Sequence, residues 1–200
     1  MLIYCIFFLI IKFVKTNPMA HIIAIEDDQH TSQIQELFWE YLEWANLRIN
    51  QQFGVSLDMP AILAGDMRNL GKYMPPRGRL LLAFTEDLPA GMLCLASMSP
   101  LIGEVRRMYV RPDARRQGLG RSLLERLLQE ACLLGFDKLR LDSARFMTDA
   151  HQIYRQAGFQ EIEAYPGSEI PDHFQKHWIF MEMNLQCDTG LLNQTYTTSR

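Results

Sequence analysis

The residues from Val110 to Arg121 have the composition of an anion-binding turn. They read Val-Arg-Pro-Asp-Ala-Arg-Arg-Gln-Gly-Leu-Gly-Arg, and a strongly apolar run follows. Pro112 ends a strand-like segment. Leu119, Leu123, Leu127 and Ala131 then step by four, as on one face of a helix. The first N–H groups of a helix lack an intrahelical partner and carry partial positive charge. Gly118 and Gly120 have no Cβ, so an anion can come close to the backbone. Arg115, Arg116 and Arg121 add formal charge, and a diphosphate suits such a helix start. A P-loop would need Gly-Lys-Ser/Thr, which is missing here. A dinucleotide fingerprint would need a third glycine and a place after the first strand, and this turn has neither.

The surrounding pattern predicts one mixed α/β domain that would hold this turn. His21 to Ile25 reads as a strand. Thr31 or Ser32 is set to cap a helix, with Gln35 in capping-box position and an apolar stripe at Ile34, Leu37, Phe38, Tyr41, Leu42 and Ala45. A second helix starts near Asp58 with Pro60 in its first turn. Tyr73 to Gly78 reads as a loop, and Arg79 to Phe84 as a strand. A turn at Leu88-Pro89 leads to a hairpin partner from Gly91 to Met98, and a further turn is marked by Pro100 and Gly103. Glu104 to Val110 is the next strand. The helix from Gly118 ends at Gly135, and Lys138 to Asp142 is a short strand. Thr148 or Asp149 caps a helix that Gly158 ends, and Phe159 to Ala164 and His177 to Leu185 close the domain.

The bulk composition is that of a globular domain. Hydrophobic residues make up 48% and charged residues 22% of 200 residues, and the net charge is -3. That field favours neither nucleic acid nor a membrane surface. Cys5, Cys94, Cys132 and Cys187 are far apart with no metal-ligand spacing, so they read as reduced thiols of a cytoplasmic protein, with no metal. Met1 to Ile11 is almost wholly apolar, yet a spanning helix needs about 20 such residues. Residues 1–18 are therefore either a short hydrophobic anchor or sequence upstream of a start at Met19. Residues 19–185 form the domain, and 186–200 read as a polar tail.

Two separated strings carry a family resemblance. Glu104-Val-Arg-Arg-Met-Tyr-Val-Arg-Pro-Asp-Ala-Arg-Arg-Gln-Gly-Leu-Gly-Arg121 is followed by Ile153-Tyr-Arg-Gln-Ala-Gly-Phe159. Together they resemble the GNAT superfamily of N-acetyltransferases: Arg115-x-x-Gly118-x-Gly120 matches its Arg/Gln-x-x-Gly-x-Gly/Ala signature, and Tyr154 falls on its Tyr-x-x-x-Gly-Phe element. The resemblance spans roughly His21 to Leu185. It implies a mixed, mainly antiparallel central sheet flanked by helices, with a splayed, bulged strand at the cofactor site. Arg106-Arg107 interrupts simple alternation in the strand concerned, as a bulge would.

The resemblance also implies roles. Acetyl-CoA would be the co-substrate. Backbone groups of Met108, Tyr109 and Val110 would hold its pantetheine arm, and Arg115, Arg116, Gln117, Gly118, Leu119, Gly120 and Arg121 its pyrophosphate. Tyr154 would protonate the departing thiolate, since a phenol is neutral and donating at pH 7. Glu104 would accept the amine proton, with Asp142 and Ser143 as weaker candidates. Arg106 and Arg107 read as a solvated face or as charge beside the substrate. The acceptor would be a small-molecule or peptide amine, attacked directly in a ternary complex. Nucleic acid and membrane partners are not expected, and a homodimer is left open. The acceptor groove would draw on Trp44, Tyr73, Tyr165, Asp172, His173 and His177. A non-catalytic acyl-CoA sensor of the same fold is the alternative.

Overall fold

The computed structural model describes residues 20–187. The expected 1–18 extension, the start at Met19 and all of the tail beyond Cys187 lie outside them. Seven strands form one sheet in the order β1-β2-β3-β4-β5-β7-β6. They are β1 (His21–Ala24), β2 (Arg79–Thr85), β3 (Leu88–Ser99), β4 (Ile102–Val110), β5 (Lys138–Ala144), β6 (Gln160–Ile162) and β7 (Trp178–Asn184). Every neighbouring pair is antiparallel except β4 and β5, which run parallel. The helices are α1 (Thr31–Phe53), α2 (Met59–Arg68), α3 (Leu119–Leu133), α4 (Thr148–Ala157) and the one-turn α5 (Asp172–Gln175).

Alternation along the strands feeds two cores. Leu81, Leu93, Val105, Leu139 and Leu141 pack with Leu119, Leu123, Leu127 and Ala131 of α3 and with Tyr154 of α4. Leu80, Leu82, Met92 and Tyr109 point to the opposite face and meet Ile34, Leu37 and Phe38 of α1. The period-2 pattern of strands and the near-4 stride of helices thus place α3 and α4 on one side, and α1 on the other.

Several local expectations are corrected. The first hairpin turns at Glu86-Asp87, both with positive φ (52° and 64°), and Leu88-Pro89 already belongs to β3. Two left-handed residues are what a two-residue hairpin requires for its twist. Gly103 lies within β4, and β6 stops at Ile162. No side chain caps α1 or α4, whose N-cap residues are His30 and Met147. Asp58 does cap α2, accepting from the Ala61 N–H at 3.1 Å. The cysteines are not all reduced: Cys132 and Cys187 form a disulfide, with Cα atoms 5.5 Å apart. Linear spacing gave no sign of it, because the antiparallel return of β7 is what carries Cys187 back to the end of α3. Cys94 is a buried free thiol. Among the described residues, no helix is long and apolar enough to cross a membrane.

Candidate active site

The site begins where β4 leaves its neighbour. β4 and β5 pair only through Ile102, Gly103 and Glu104 opposite Lys138, Leu139 and Arg140. From Val105 onward the two strands share no ladder, so one edge of β4 faces a gap. The other edge stays paired to β3, with a shift: Met92 opposes Tyr109 but Cys94 opposes Arg106. Two residues of β4, Arg107 and Met108, thus lie across from Leu93 alone. Arg107 has φ +55°, the left-handed kink of a bulge. The extra residue bends β4 away from β5 and opens the gap.

Ion pairs hold the bent strand. Arg107 donates from Nε and Nη2 to both carboxylate oxygens of Asp66 on α2, each at 3.0 Å, and Asp66 is 5% exposed. Arg111, just past β4, donates to Glu40 and Glu36 of α1 and to the Pro89 carbonyl. Arg106 pairs with Glu104 and Glu169. Neither Arg106 nor Arg107 is a solvated charge: each is largely withdrawn from water and paired with a carboxylate. Partners 41 residues apart in sequence, as Arg107 and Asp66 are, leave no local pattern to read.

The gap runs toward the start of α3. Gly118 is the N-cap with φ +85°, and Arg116 also has positive φ, at 61°. The first intrahelical bond runs from the Ser122 N–H to the Gly118 carbonyl at 3.0 Å. The N–H groups of Leu119, Gly120 and Arg121 therefore precede the ladder and lack helix partners. The two glycines serve different ends. A Cβ on Gly118 would meet nothing within 4 Å, so its value is the left-handed turn. A Cβ on Gly120 would sit 3.1 Å from Met108 Cε and 3.2 Å from Ile153 Cδ1, so its value is close packing of α3 on β4 and α4. Gly118→Val forces a β-branched residue into that turn at a cost of about 1–3 kcal/mol. It is expected to weaken coenzyme A binding, read by calorimetry, by about tenfold or more. Gly120→Ala needs only flexible side-chain tips to shift and should weaken it far less.

Not every charged side chain of the motif aims at an anion. Arg115 donates from Nε to the Val110 carbonyl at 2.9 Å, and its guanidinium lies over the rings of Trp44 and Tyr109 at 5.6 and 5.9 Å. Arg121 bonds Gln156 of α4, and the Gln117 amide bonds the Asp113 carbonyl at 3.1 Å. Arg116 and Gly118 are left exposed at the start of α3.

Two titratable groups lie near enough to feel each other's charge, Asp142 on β5 beyond its last pairing with β4 and Tyr154 on α4. Tyr154 on α4 is 5% exposed, and burial, then the neighbouring Tyr41 hydroxyl and Asp142, push its hydroxyl up. It is therefore a neutral donor at pH 7. Asp142 on β5 is pushed up to about 6 by burial and then by the nearby Glu104 carboxylate, against a hydrogen bond from Ser168. The Ser168 hydroxyl donates to its Oδ2 at 3.1 Å. Glu104 is 2% exposed, and its two oxygens accept from Arg106 Nε and, at 2.9 Å, from the Tyr165 hydroxyl. Behind them, His151 meets the Ser143 hydroxyl at 3.0 Å and ties α4 to β5.

The expected acceptor residues divide. Trp44 and Tyr165 stand by the gap. Tyr73 does not: it is wholly buried against Phe38. Asp172 and His173 are exposed on α5. Reading the sequence missed Asp66, Tyr41, Phe146 and Ser168. Only Tyr41 carried a signal, as one member of the apolar stripe on α1.

The sheet is thus opened at its one parallel pair, and the opening leads to amides at the start of α3 that have no helix partners. Residues 76–161 match the acetyltransferase (GNAT) domain family. An uncharacterized N-acetyltransferase of Schizosaccharomyces pombe is 32% identical in an alignment of 156 residues that covers 74% of this chain and 88% of that protein. The fold is shared with a GNAT-family acetyltransferase of Staphylococcus aureus (TM-score 0.64, 21% identity, 83% of this chain and 100% of that one). It is also shared with the PaiA N-acetyltransferase of Thermoplasma acidophilum, solved in complex with coenzyme A (TM-score 0.63, 15% identity, 82% and 98%). The chain belongs to the GNAT family of acetyltransferases.

Proposed function

We propose that this protein binds acetyl-coenzyme A between β4 and β5 and transfers its acetyl group directly to a primary amine. The observation that carries the reading is the loss of the β4–β5 ladder after Glu104, in a gap that ends at the free amides of α3. The backbone of Met108, Tyr109 and Val110 along the open edge would hold the pantetheine arm and polarise the thioester carbonyl. The amides from Gly118 to Arg121, with Arg116, would take the diphosphate.

The chemistry needs one proton removed and one supplied. An ammonium must lose a proton before its nitrogen can attack the thioester carbon. The C–S bond then breaks, and the thiolate leaves more readily if protonated. We assign the donor role to Tyr154 and the acceptor role to Asp142. Glu104 is the less suitable base, because both its oxygens already accept hydrogen bonds. Its place is to hold Arg106 and Tyr165 and to raise Asp142. A carboxyl titrating near the working pH suits proton acceptance.

The test is calorimetry with coenzyme A, followed by measurement of thiol release from acetyl-coenzyme A as amines are added. Micromolar binding and amine-dependent thiol release are expected. Binding without thiol release across a broad panel would mark a sensor rather than an enzyme, and absence of binding would end the reading altogether.

A further inference from the structure

Three aromatic rings gather on the side of the sheet where Tyr41 lies near Asp142. Trp44 of α1 meets Phe146, from the loop after β5, with ring centroids 5.9 Å apart and planes at 70°. Tyr41, one turn earlier on α1, is 6.5 Å from Trp44, and it lies close enough to Asp142 to feel its charge. All three rings are half-buried, and each keeps part of its surface open. α1 packs over the β4 side of the sheet and Phe146 follows β5, so the Trp44–Phe146 contact bridges the gap. Arg115 backs Trp44 from the α3 side, where it also holds the Val110 carbonyl.

Among the described residues, the bases on the sheet floor beneath this collar have carboxylate partners, whereas Arg115 and Arg145 at its edges hold the Val110 and Lys176 carbonyls instead. Arg107 pairs with Asp66, Arg106 with Glu104, Lys72 with Glu169, and Arg140 with Glu182. Asp142 bonds only a serine hydroxyl. A cation entering beside the collar therefore finds an acid without a basic partner. A carboxylate entering with it would find each nearby guanidinium or ammonium on the sheet floor already held, and would lie beside Asp142 and Glu104. Burying an unpaired charge there is strongly unfavourable.

We propose that the acceptor is a small monocationic amine with an apolar or aromatic group next to the ammonium and no carboxylate of its own. The collar of Tyr41, Trp44 and Phe146 takes the apolar group, and Asp142 takes the ammonium. This rests on the acetyl-transfer reading and narrows its substrate class. Ring faces attract both apolar surface and ammonium groups, so the collar serves both parts of such a molecule.

Three probes separate the elements of the proposal: 2-phenylethylamine, phenylalanine, which adds a carboxylate to the same skeleton, and n-butylamine, which lacks the ring. With coenzyme A present, 2-phenylethylamine should bind by calorimetry about tenfold or more tighter than either of the others, and its kcat/KM should exceed theirs by a similar factor. Trp44→Ala and Phe146→Ala should each raise its KM about fivefold and raise that of n-butylamine by clearly less, so that the preference for the ring shrinks. Phe146 has no part in the Arg115 contacts, so its variant answers for the collar if Trp44→Ala disturbs the fold. Equal or better binding of phenylalanine, or a collar variant that leaves the preference for the ring intact, overturns the proposal. Failure of coenzyme A binding and of thiol release with every amine strikes the acetyl-transfer reading instead, and the collar then stands or falls on amine binding alone.

Discussion

Asp142→Asn is expected to lower kcat by about a hundredfold or more while raising the thermal stability of the fold. The first effect follows from removing a base that takes the amine proton, a contribution of about 10²–10⁴ in rate. The second follows from the direction of the Asp142 shift. Its carboxyl titrates at about 6, above the ordinary 3.8, with burial as the first cause and the Glu104 charge as the second. A carboxyl whose folded value is raised is an anion the fold disfavours: at pH 7 the ionised group subtracts stability, and that loss is relieved as pH falls through 6 toward 4. An uncharged amide of the same shape relieves it at every pH. Asparagine can still accept the Ser168 hydrogen bond, so the fold should gain about 1–2 kcal/mol, or a rise in Tm of about 3 °C or more. In the native protein kcat should fall as pH drops below about 6, and that acidic limb should vanish in the variant. Lower activity together with a lower Tm would show a structural role instead and remove Asp142 from the mechanism.

That opposition between stability and activity could not have been read from the sequence. Asp142 is there only a weaker candidate than Glu104 for the amine proton, one acid in an alternating strand with nothing local to mark a raised carboxyl. Its environment is made by long-range placement: Glu104 from β4, Ser168 from the segment between β6 and β7, and the hydroxyl-bearing rings of Tyr41 and Tyr154 from α1 and α4. The helix α3, by contrast, was legible to within a residue at each end, because Leu119, Leu123, Leu127 and Ala131 set its buried face and a glycine marks each end. The sequence shows two glycines at its start alike, whereas in the fold Gly118 supplies a left-handed turn and Gly120 a tight packing contact.

The bulge falls between these cases. A doubled arginine breaking the alternation of β4 was visible in the sequence. The reason two adjacent guanidinium groups can both be withdrawn from water was not. It depends on Asp66 of α2 and Glu169 of the β6–β7 segment reaching the same stretch of strand. Local pattern therefore announced an irregularity, and only tertiary placement showed that it opens the sheet. The same holds for the disulfide between Cys132 and Cys187, whose 55-residue separation is closed by the course of β7.

Tyr154→Phe should cut kcat about a hundredfold or more and leave coenzyme A affinity within twofold. The substitution removes one oxygen and keeps the ring, which packs in the core with Phe159 at 5.7 Å. It should therefore not disturb α4 or the α3 start that faces it. Among the described residues no group hydrogen-bonds to the Tyr154 hydroxyl, so its loss orphans nothing, and stability should be unchanged or slightly higher. The pH profile gives a second reading. Burial raises the Tyr154 hydroxyl well above the working range, so the native rate should show no basic limb from its ionisation below about pH 10. What the variant loses is a proton donor for the departing thiolate. An acetyl thioester of a more acidic thiol, which leaves well without protonation, should recover most of the lost rate. Recovery with that activated donor would identify Tyr154 as the acid, and an equal deficit with both donors would show that the hydroxyl acts elsewhere in the cycle.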